Sequence, residues 1–175
     1  MDCPFYKKIG ACRHGSTCAR AHNTPRHSQT ILLTNFYHNP KHQTLIMKGQ
    51  VIENAPKFSD EEEQKHFDDV FEELYMELED EYGQIDELNI CQNLGRHLYG
   101  NVYVKFRKSE SADKALMSIN NRWFDQRPIN AELSPVVDFR AACCPQYEEG
   151  CEMISLSFIL FFFKRNKYCD KFKKE

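Results

Sequence analysis

Four residues near the N-terminus have side chains that could together bind one metal ion. Eight, five and three residues separate the successive members of this set, which is Cys3, Cys12, Cys18 and His22. Three thiolates and one imidazole can complete the tetrahedral shell of Zn²⁺. Because residues 1–27 contain almost no apolar core, bound metal would supply most of their folding free energy. The spacing therefore predicts a closed, structural zinc site in residues 1–27, which we call the head.

The head also carries aromatic and cationic side chains that suit a nucleic acid. Phe5 offers a ring on which a base could stack. Donors for phosphates or base edges come from Lys7, Arg13 and Arg20. Phe5 could equally pack over the metal, and for a single ring the two interpretations stay open. The ligand spacing resembles that of the CCCH zinc-finger family, which implies that the head binds single-stranded RNA.

Residues 28–142 are predicted to form a single α+β domain. Apolar periodicity and turn residues indicate strands and helices in the order βαββαβ, at Thr30–Tyr37, Ser59–Gly83, Ile85–Cys91, Gly100–Phe106, Ser109–Asn121 and Pro128–Leu133. This order is that of the ferredoxin-like, RNA-recognition-type fold. We expect the core of this domain to be separate from the head. Residues 143–175 are expected to form a tail of unlike composition.

The third predicted strand indicates whether such a domain would read RNA on its sheet. Its sequence, YGNVYVKF, fits the strand signature of RNA-recognition domains in part: Asn101 stands where an aromatic ring is expected, and Tyr99 replaces the basic first residue. Leu32 replaces a second ring on the first strand, which leaves Tyr103 as the one aromatic residue at three platform positions. Since stacking contributes about 1–3 kcal/mol per base, the loss of two rings predicts that the sheet does not read RNA.

A second candidate surface lies just before the last predicted strand. The segment NNRWF, Asn120 to Phe124, is expected in a loop and holds the one tryptophan of the chain. The alternative is that Trp123 and Phe124 both close the core. The first long helix is strongly acidic, since residues 59–87 hold fourteen acidic side chains and one basic side chain. An aromatic slot beside an acidic helix suits a basic peptide with an aromatic anchor.

This combination is similar to the U2AF homology motif, a variant of the RNA recognition motif that binds peptides. The resemblance implies that Arg122, Trp123 and Phe124 occupy the Arg-x-Phe positions, which hold a tryptophan of the ligand peptide. It also implies that acids of the first long helix attract the basic flank of that peptide. The candidate acids are Glu72, Glu73 and Glu77.

The succession of motifs extends this resemblance to most of the chain. Over residues 3–150 the segments follow in the order FYKKIGACRHG, FEELYMELEDEYGQIDELN, GNVYVKF, NNRWF and AELSPVVDFRAACC. This order is similar to that of the small subunits of the U2 snRNP auxiliary factor. The resemblance implies a nuclear pre-mRNA splicing protein that contacts the AG of the 3′ splice site and forms a heterodimer with a large subunit. The alternative is a protein-only interaction module that has lost RNA binding.

The tail departs from that family, whose members have a second CCCH finger after the sheet domain. Cys144 and Cys151 begin such a finger, but Cys169 comes too late and no histidine lies beyond His97. One zinc ion per chain is therefore expected. The apolar run of the tail, Met153 to Phe163, has eleven residues. A membrane helix needs about 20, so no membrane span is predicted.

Composition and motifs argue against other classes of protein. Eight cysteines without an N-terminal secretory signal favour a reducing compartment over disulfide bonds. The sequence shows no nucleophile with a paired base and no Gly-rich phosphate loop. Four protein ligands would also close the zinc shell to a catalytic water. We therefore do not expect an enzyme.

Overall fold

The computed structural model describes residues 1–40, 59–91 and 97–142. The strands are β1 (Thr30–Leu33), β2 (Ile85–Ile90), β3 (Val102–Phe106), β4 (Trp123–Phe124), β5 (Arg127–Pro128) and β6 (Ala131–Leu133). The helices are α1 (Pro4–Ile9), α2 (Asp60–Tyr82), α3 (Ser109–Ile119) and α4 (Phe139–Ala142), with a 3₁₀ turn at Gly15–Thr17. An antiparallel main sheet has the order β2-β3-β1-β6, and β4 pairs with β5 in a separate hairpin. The predicted α+β fold is confirmed.

The first and the last predicted strand differ most from the observed ones. The last one, Pro128–Leu133, is divided, so that only its second half joins the main sheet. Asn120 stabilises the division, because its side chain donates to the carbonyl oxygen of Ala131 at 3.0 Å and accepts from the amide of Ala131 at 2.7 Å. Strand β1 ends at Leu33, earlier than predicted, because Asn35 turns the chain with a φ of 50°.

Helix α2 forms as its sequence predicts. The hydroxyl oxygen of Ser59 accepts from the amide of Glu62 at 3.2 Å, and the Glu62 carboxylate accepts from the amide of Ser59 at 2.9 Å. This capping box fixes where the helix begins. The buried side chains recur at helical spacing and pack in the main core, namely Phe67, Phe71, Leu74 and Leu78. Most of the acidic side chains are consequently left on the outer side of α2.

Both faces of the main sheet are buried. Ile31, Leu33 and Val104 belong to the main core, together with the apolar sides of α2 and α3. Leu32 and Tyr103 pair across β1 and β3, and they belong to a different cluster on the opposite face. Their exposed fractions are 1% and 0%. The second face is therefore closed to solvent rather than open for a ligand.

The head and the last described residues cover this second face. The apolar cluster there consists of Ile9, Ala11, Leu32, Cys91, Leu98, Tyr103, Val136, Phe139 and Ala142. Its first two members come from the head, and its last three follow β6. The expectation of separate cores is therefore wrong. The head is too small to bury its own apolar side chains, and the sheet has a second apolar face, so each removes the other from water.

Helices that combine the length and the apolar character of a membrane span are absent from residues 1–40, 59–91 and 97–142. The apolar run Met153–Phe163 lies outside the described residues. The same is true of the cysteines on which the prediction of an incomplete second finger depends, which are Cys144, Cys151 and Cys169.

Candidate zinc centre and interaction surfaces

The four predicted metal ligands converge in the head. Cys3 lies directly before α1 and Cys12 lies shortly after it, so this helix brings two thiols together. The Sγ atom of Cys12 lies 3.7 Å from that of Cys3 and 3.9 Å from that of Cys18. The ligand atoms of the whole set, including His22, lie within 4.8 Å of one another. This spacing suits a single tetrahedral ion with ligand distances of about 2.0–2.3 Å.

His22 supplies independent evidence that the cluster fits a metal. Its Nε2 atom is buried and has no hydrogen-bond partner among the described residues. Its ring stacks on Tyr6, with ring centres 4.6 Å apart and planes 7° from parallel. A buried nitrogen without a partner costs free energy, and metal coordination would remove that cost. Three sulfur donors and one imidazole are a donor set that suits Zn²⁺.

The buried thiols of this cluster differ in acidity. A hydrogen bond with the backbone of Tyr6 lowers the pKa of Cys3 to about 7. Burial raises the pKa of Cys12. Cysteine binds zinc as the thiolate, so bound zinc would keep both groups deprotonated. With four protein ligands the site is closed, which fits a structural and not a catalytic ion.

Backbone contacts close the head around the cluster. The amide of Cys3 donates to the carbonyl oxygen of Ala21 at 2.9 Å, which joins the two ends of the metal-binding segment. Gly10 caps the C-terminal end of α1; its φ of 67° is left-handed, and its amide donates to the carbonyl oxygen of Tyr6 at 2.8 Å. A Cβ atom at Gly10 would lie 2.6 Å from Oγ of Ser134 in the sheet domain. Glycine therefore fits both the turn and the close approach.

The predicted RNA-binding side chains lie on the surface of the head. Phe5 is 47% exposed, whereas its neighbour Tyr6 is buried against the thiols of the metal cluster. Tyr6 is thus the ring that packs over the metal site, and Phe5 lies outside it. The predicted cations are all exposed, namely Lys7, Arg13 and Arg20. Contact between these four side chains and RNA stays a prediction.

The sheet presents no aromatic platform in the part of the chain that the structure describes. Tyr103 is covered by the head, where its hydroxyl donates to the carbonyl oxygen of Ile9 at 2.6 Å. Asn101 is buried too: its side-chain oxygen accepts from the amide of Asn35 at 3.0 Å, and its side-chain nitrogen donates to the carbonyl oxygen of His97 at 3.1 Å. Asn101 therefore holds the chain before β3 in place. The sequence shows the missing rings but not these structural roles.

The NNRWF segment enters a hairpin, not the predicted loop. Its two-residue turn has positive φ angles, 47° at Asp125 and 61° at Gln126. Trp123 is 70% exposed, so the alternative that both rings close the core is wrong. Phe124 is half buried and stacks on Phe36, with ring centres 4.5 Å apart. Phe36 is absent from the predicted site, because no local pattern relates it to residues so far along the chain.

Arg122 fastens the hairpin to helix α2. Its guanidinium forms ion pairs with Glu77 and with Glu81, the latter at 3.2 Å. A hydrogen bond with the Tyr82 side chain and the charges of these carboxylates raise the pKa of Arg122. Glu77 is thus the predicted acid that the structure brings to the hairpin. Glu81 is missing from the predicted set, although it lies one helical turn beyond Glu77 and could have been found from that spacing.

The acidic side of α2 extends from this ion pair toward the start of the helix. The other two predicted acids, Glu72 and Glu73, are exposed there. A shallow surface groove is lined by Asp60, Glu61, Gln64, Lys65, Asp68, Asp69 and Glu72. Five of these seven residues are acidic, so the groove has a negative potential that suits a basic ligand.

Comparison with known proteins finds a family match for the head and another for the sheet domain. Residues 2–24 match the family model of C-x8-C-x5-C-x3-H zinc fingers, and residues 71–130 match that of the RNA recognition motif. The splicing factor U2af 38 kDa subunit of Drosophila melanogaster is 54% identical over 150 residues, which are 86% of this chain and 56% of the relative. The chain belongs to the family of U2AF small subunits.

Two further U2AF relatives show the extent of the similarity. The U2AF 26 kDa subunit of Bos taurus is 53% identical over 150 residues, which are 86% of this chain and 66% of the relative. The U2AF 23 kDa subunit of Schizosaccharomyces pombe is 48% identical over 148 residues, 85% of this chain and 64% of the relative. The chain thus spans between 56% and 66% of the length of these three proteins. These U2AF relatives are splicing factors, which agrees with the prediction that the chain is not an enzyme.

Proposed function

We propose that this U2AF small-subunit homologue acts in pre-mRNA splicing in the nucleus, as one partner of a heterodimer with a U2AF large subunit. The head contacts RNA at the AG of the 3′ splice site, and the hairpin binds a tryptophan-containing peptide of the large subunit. One observation carries the proposal. The head covers one face of the sheet, while the hairpin is fastened to α2, which packs on the opposite face.

RNA binding is assigned to the head because the platform face of the sheet is already buried. Leu32 and Tyr103 lie in one cluster with Ile9 and Ala11, so bases cannot stack on the sheet without displacing the head. Phe5 and the three exposed cations lie on the outer surface of the head. An aromatic ring among cationic side chains is the usual arrangement for binding a single strand.

Peptide binding is assigned to the hairpin because aromatic and acidic side chains meet there. Phe124 stacks on Phe36 next to the exposed Trp123, which provides apolar area for an aromatic anchor. The ion pair between Arg122 and Glu77 holds the hairpin without a ligand, so binding would involve little loss of conformational entropy. The acidic side of α2 would attract a basic flank and speed association.

Calorimetry on the full chain, with a basic peptide that contains one tryptophan, tests the peptide site. Phe124→Ala should weaken binding by about 2 kcal/mol or more, as the loss of an aromatic anchor does at an interface hot spot. Val137→Ala is the matched control, because Val137 is 67% exposed and lies beside α4. Unchanged affinity in a folded Phe124→Ala variant would remove the hairpin as the site.

A second candidate function is a protein-only interaction module. The covered sheet favours it, because all RNA contacts then depend on the small head. If the splicing proposal is right, an AG-containing RNA should bind with a log–log salt slope of about −1.5 to −2, since two or three phosphates are neutralised. Absence of any salt-dependent binding would support the second candidate.

A further inference from the structure

Helix α1 contacts the zinc cluster on one side and the sheet on the other. Cys3 and Cys12 flank the helix, and Tyr6 packs against both thiols. Ile9, at the C-terminal end of the helix, belongs instead to the cluster that contains Tyr103. A helix of six residues is far too short to be stable alone, so its conformation depends on both sets of contacts.

The contact between Tyr103 and α1 is polar as well as apolar. The Tyr103 hydroxyl donates to the carbonyl oxygen of Ile9 at 2.6 Å, and the two residues are 0% and 7% exposed. This carbonyl lies in the last turn of α1, where the helix itself provides no amide partner. Burial raises the pKa of Tyr103, so its hydroxyl stays protonated and remains a donor.

Close packing against the sheet domain also fixes Gly10, the residue that follows Ile9. A Cβ atom at Gly10 would lie 2.6 Å from Ser134 and 3.4 Å from both Tyr103 and Val136. The end of α1 therefore sits directly against three side chains of the sheet domain. A shift of the head would break these contacts and the hydrogen bond to Ile9 together.

We propose that Tyr103 is a positioning residue for the zinc site, so that the sheet contributes to the zinc affinity of the head. Without metal the head has too small a core to keep α1 folded, and the bond between Tyr103 and Ile9 is lost with it. The free energy of this bond is then present in the zinc-bound state alone. By linkage it adds to zinc affinity, and a buried hydrogen bond corresponds to roughly a three- to tenfold change in an equilibrium constant.

Competition with a chromophoric zinc chelator tests this proposal on the full chain. Tyr103→Phe removes the hydroxyl and keeps the ring, so zinc affinity should fall roughly three- to tenfold. Tyr37→Phe is the matched control. Tyr37 is 1% exposed and lies in the same domain, but its hydroxyl lies 3.5 Å from His66 on α2 instead of contacting the head. This control should leave zinc affinity unchanged.

Amide hydrogen exchange separates positioning from a general loss of stability. In the zinc-loaded Tyr103→Phe variant, amides of α1 should exchange faster, whereas those of β2 and α2 should keep their protection. Equal zinc affinity in the original chain and in Tyr103→Phe would overturn the proposal. An equal loss of affinity in Tyr37→Phe would overturn it as well, because the effect would not depend on contact with the head.

Discussion

The hydroxyl of Tyr103 donates to the carbonyl oxygen of Ile9 across the boundary between the sheet and the head. The one aromatic residue left at the platform positions is therefore used to hold the zinc-binding head. The contact that closes this face of the sheet also holds the head in place. The head and α2 pack on opposite faces of the same sheet. The head therefore has a defined position relative to α2 and to the hairpin that is fastened to α2.

Loss of a zinc ligand should affect the sheet as well as the head. Cys12→Ser removes one of four ligands, so the head should lose its metal and its fold. Because Ile9 and Ala11 then leave the sheet, the stability of the sheet domain should fall by about 2 kcal/mol, comparable to the burial of one aliphatic side chain.

Urea unfolding followed by a probe in the sheet domain measures this effect, with Cys91→Ala as the matched cysteine control. Cys91 lies in the shared cluster but outside the metal site, so this variant should keep its zinc. An unchanged unfolding free energy in Cys12→Ser would show that the two cores are separate after all.

One zinc ion should be bound by each chain. The head supplies one complete set of ligands. The sequence after residue 142 supplies cysteines at positions 143, 144, 151 and 169 but no histidine. Elemental analysis of purified protein should therefore give a zinc content near one equivalent, and two tightly bound ions would contradict the interpretation of the tail.

The hairpin turn should be stabilised by glycine. Gln126 has a φ of 61°, which is unfavourable for a side chain with a Cβ atom, and two-residue hairpin turns prefer glycine at this position. Gln126→Gly should raise the unfolding free energy by about 0.5 kcal/mol, after subtraction of the entropy that glycine loses. Chemical denaturation measures the change. A clear destabilisation would mean that the Gln126 side chain makes a contact that matters more than its backbone strain.

The parts of the fold that were predictable from sequence have local signals. Ser59 and Glu62 stand three residues apart and mark the start of α2, and the metal ligands all lie within residues 3–22. The same is true of the burial of Phe67 and Phe71, which follows from helical spacing. In each case the residues that carry the signal lie close together in the sequence.

The parts that were not predictable depend on contacts between distant residues. Tyr103 contacts Ile9 across 94 positions of the sequence, and Phe124 stacks on the distant Phe36. An alternating strand pattern shows that a sheet has two faces, but it does not show what covers the second one. The role of Asn101 was equally hidden, since its partners are the backbone groups of Asn35 and His97.

The division between an RNA-binding head and a peptide-binding hairpin is tested most directly by two titrations on the same variants of the full chain. A short pyrimidine-AG RNA is titrated by fluorescence anisotropy, and a basic tryptophan peptide by calorimetry, both with zinc at saturation. The variants are Phe5→Ala and Arg20→Ala in the head, Phe124→Ala in the hairpin and Tyr103→Phe in the sheet.

We expect each head variant to weaken RNA binding and to leave peptide binding unchanged. Phe5→Ala should cost about 1–3 kcal/mol, the contribution of one stacked base. Phe124→Ala should instead weaken peptide binding by about 2 kcal/mol or more and leave RNA binding unchanged. Zinc-saturated Tyr103→Phe should bind both ligands normally. If Phe5→Ala and Arg20→Ala both leave RNA binding intact, or if Phe124→Ala leaves peptide binding intact, the proposed division is wrong.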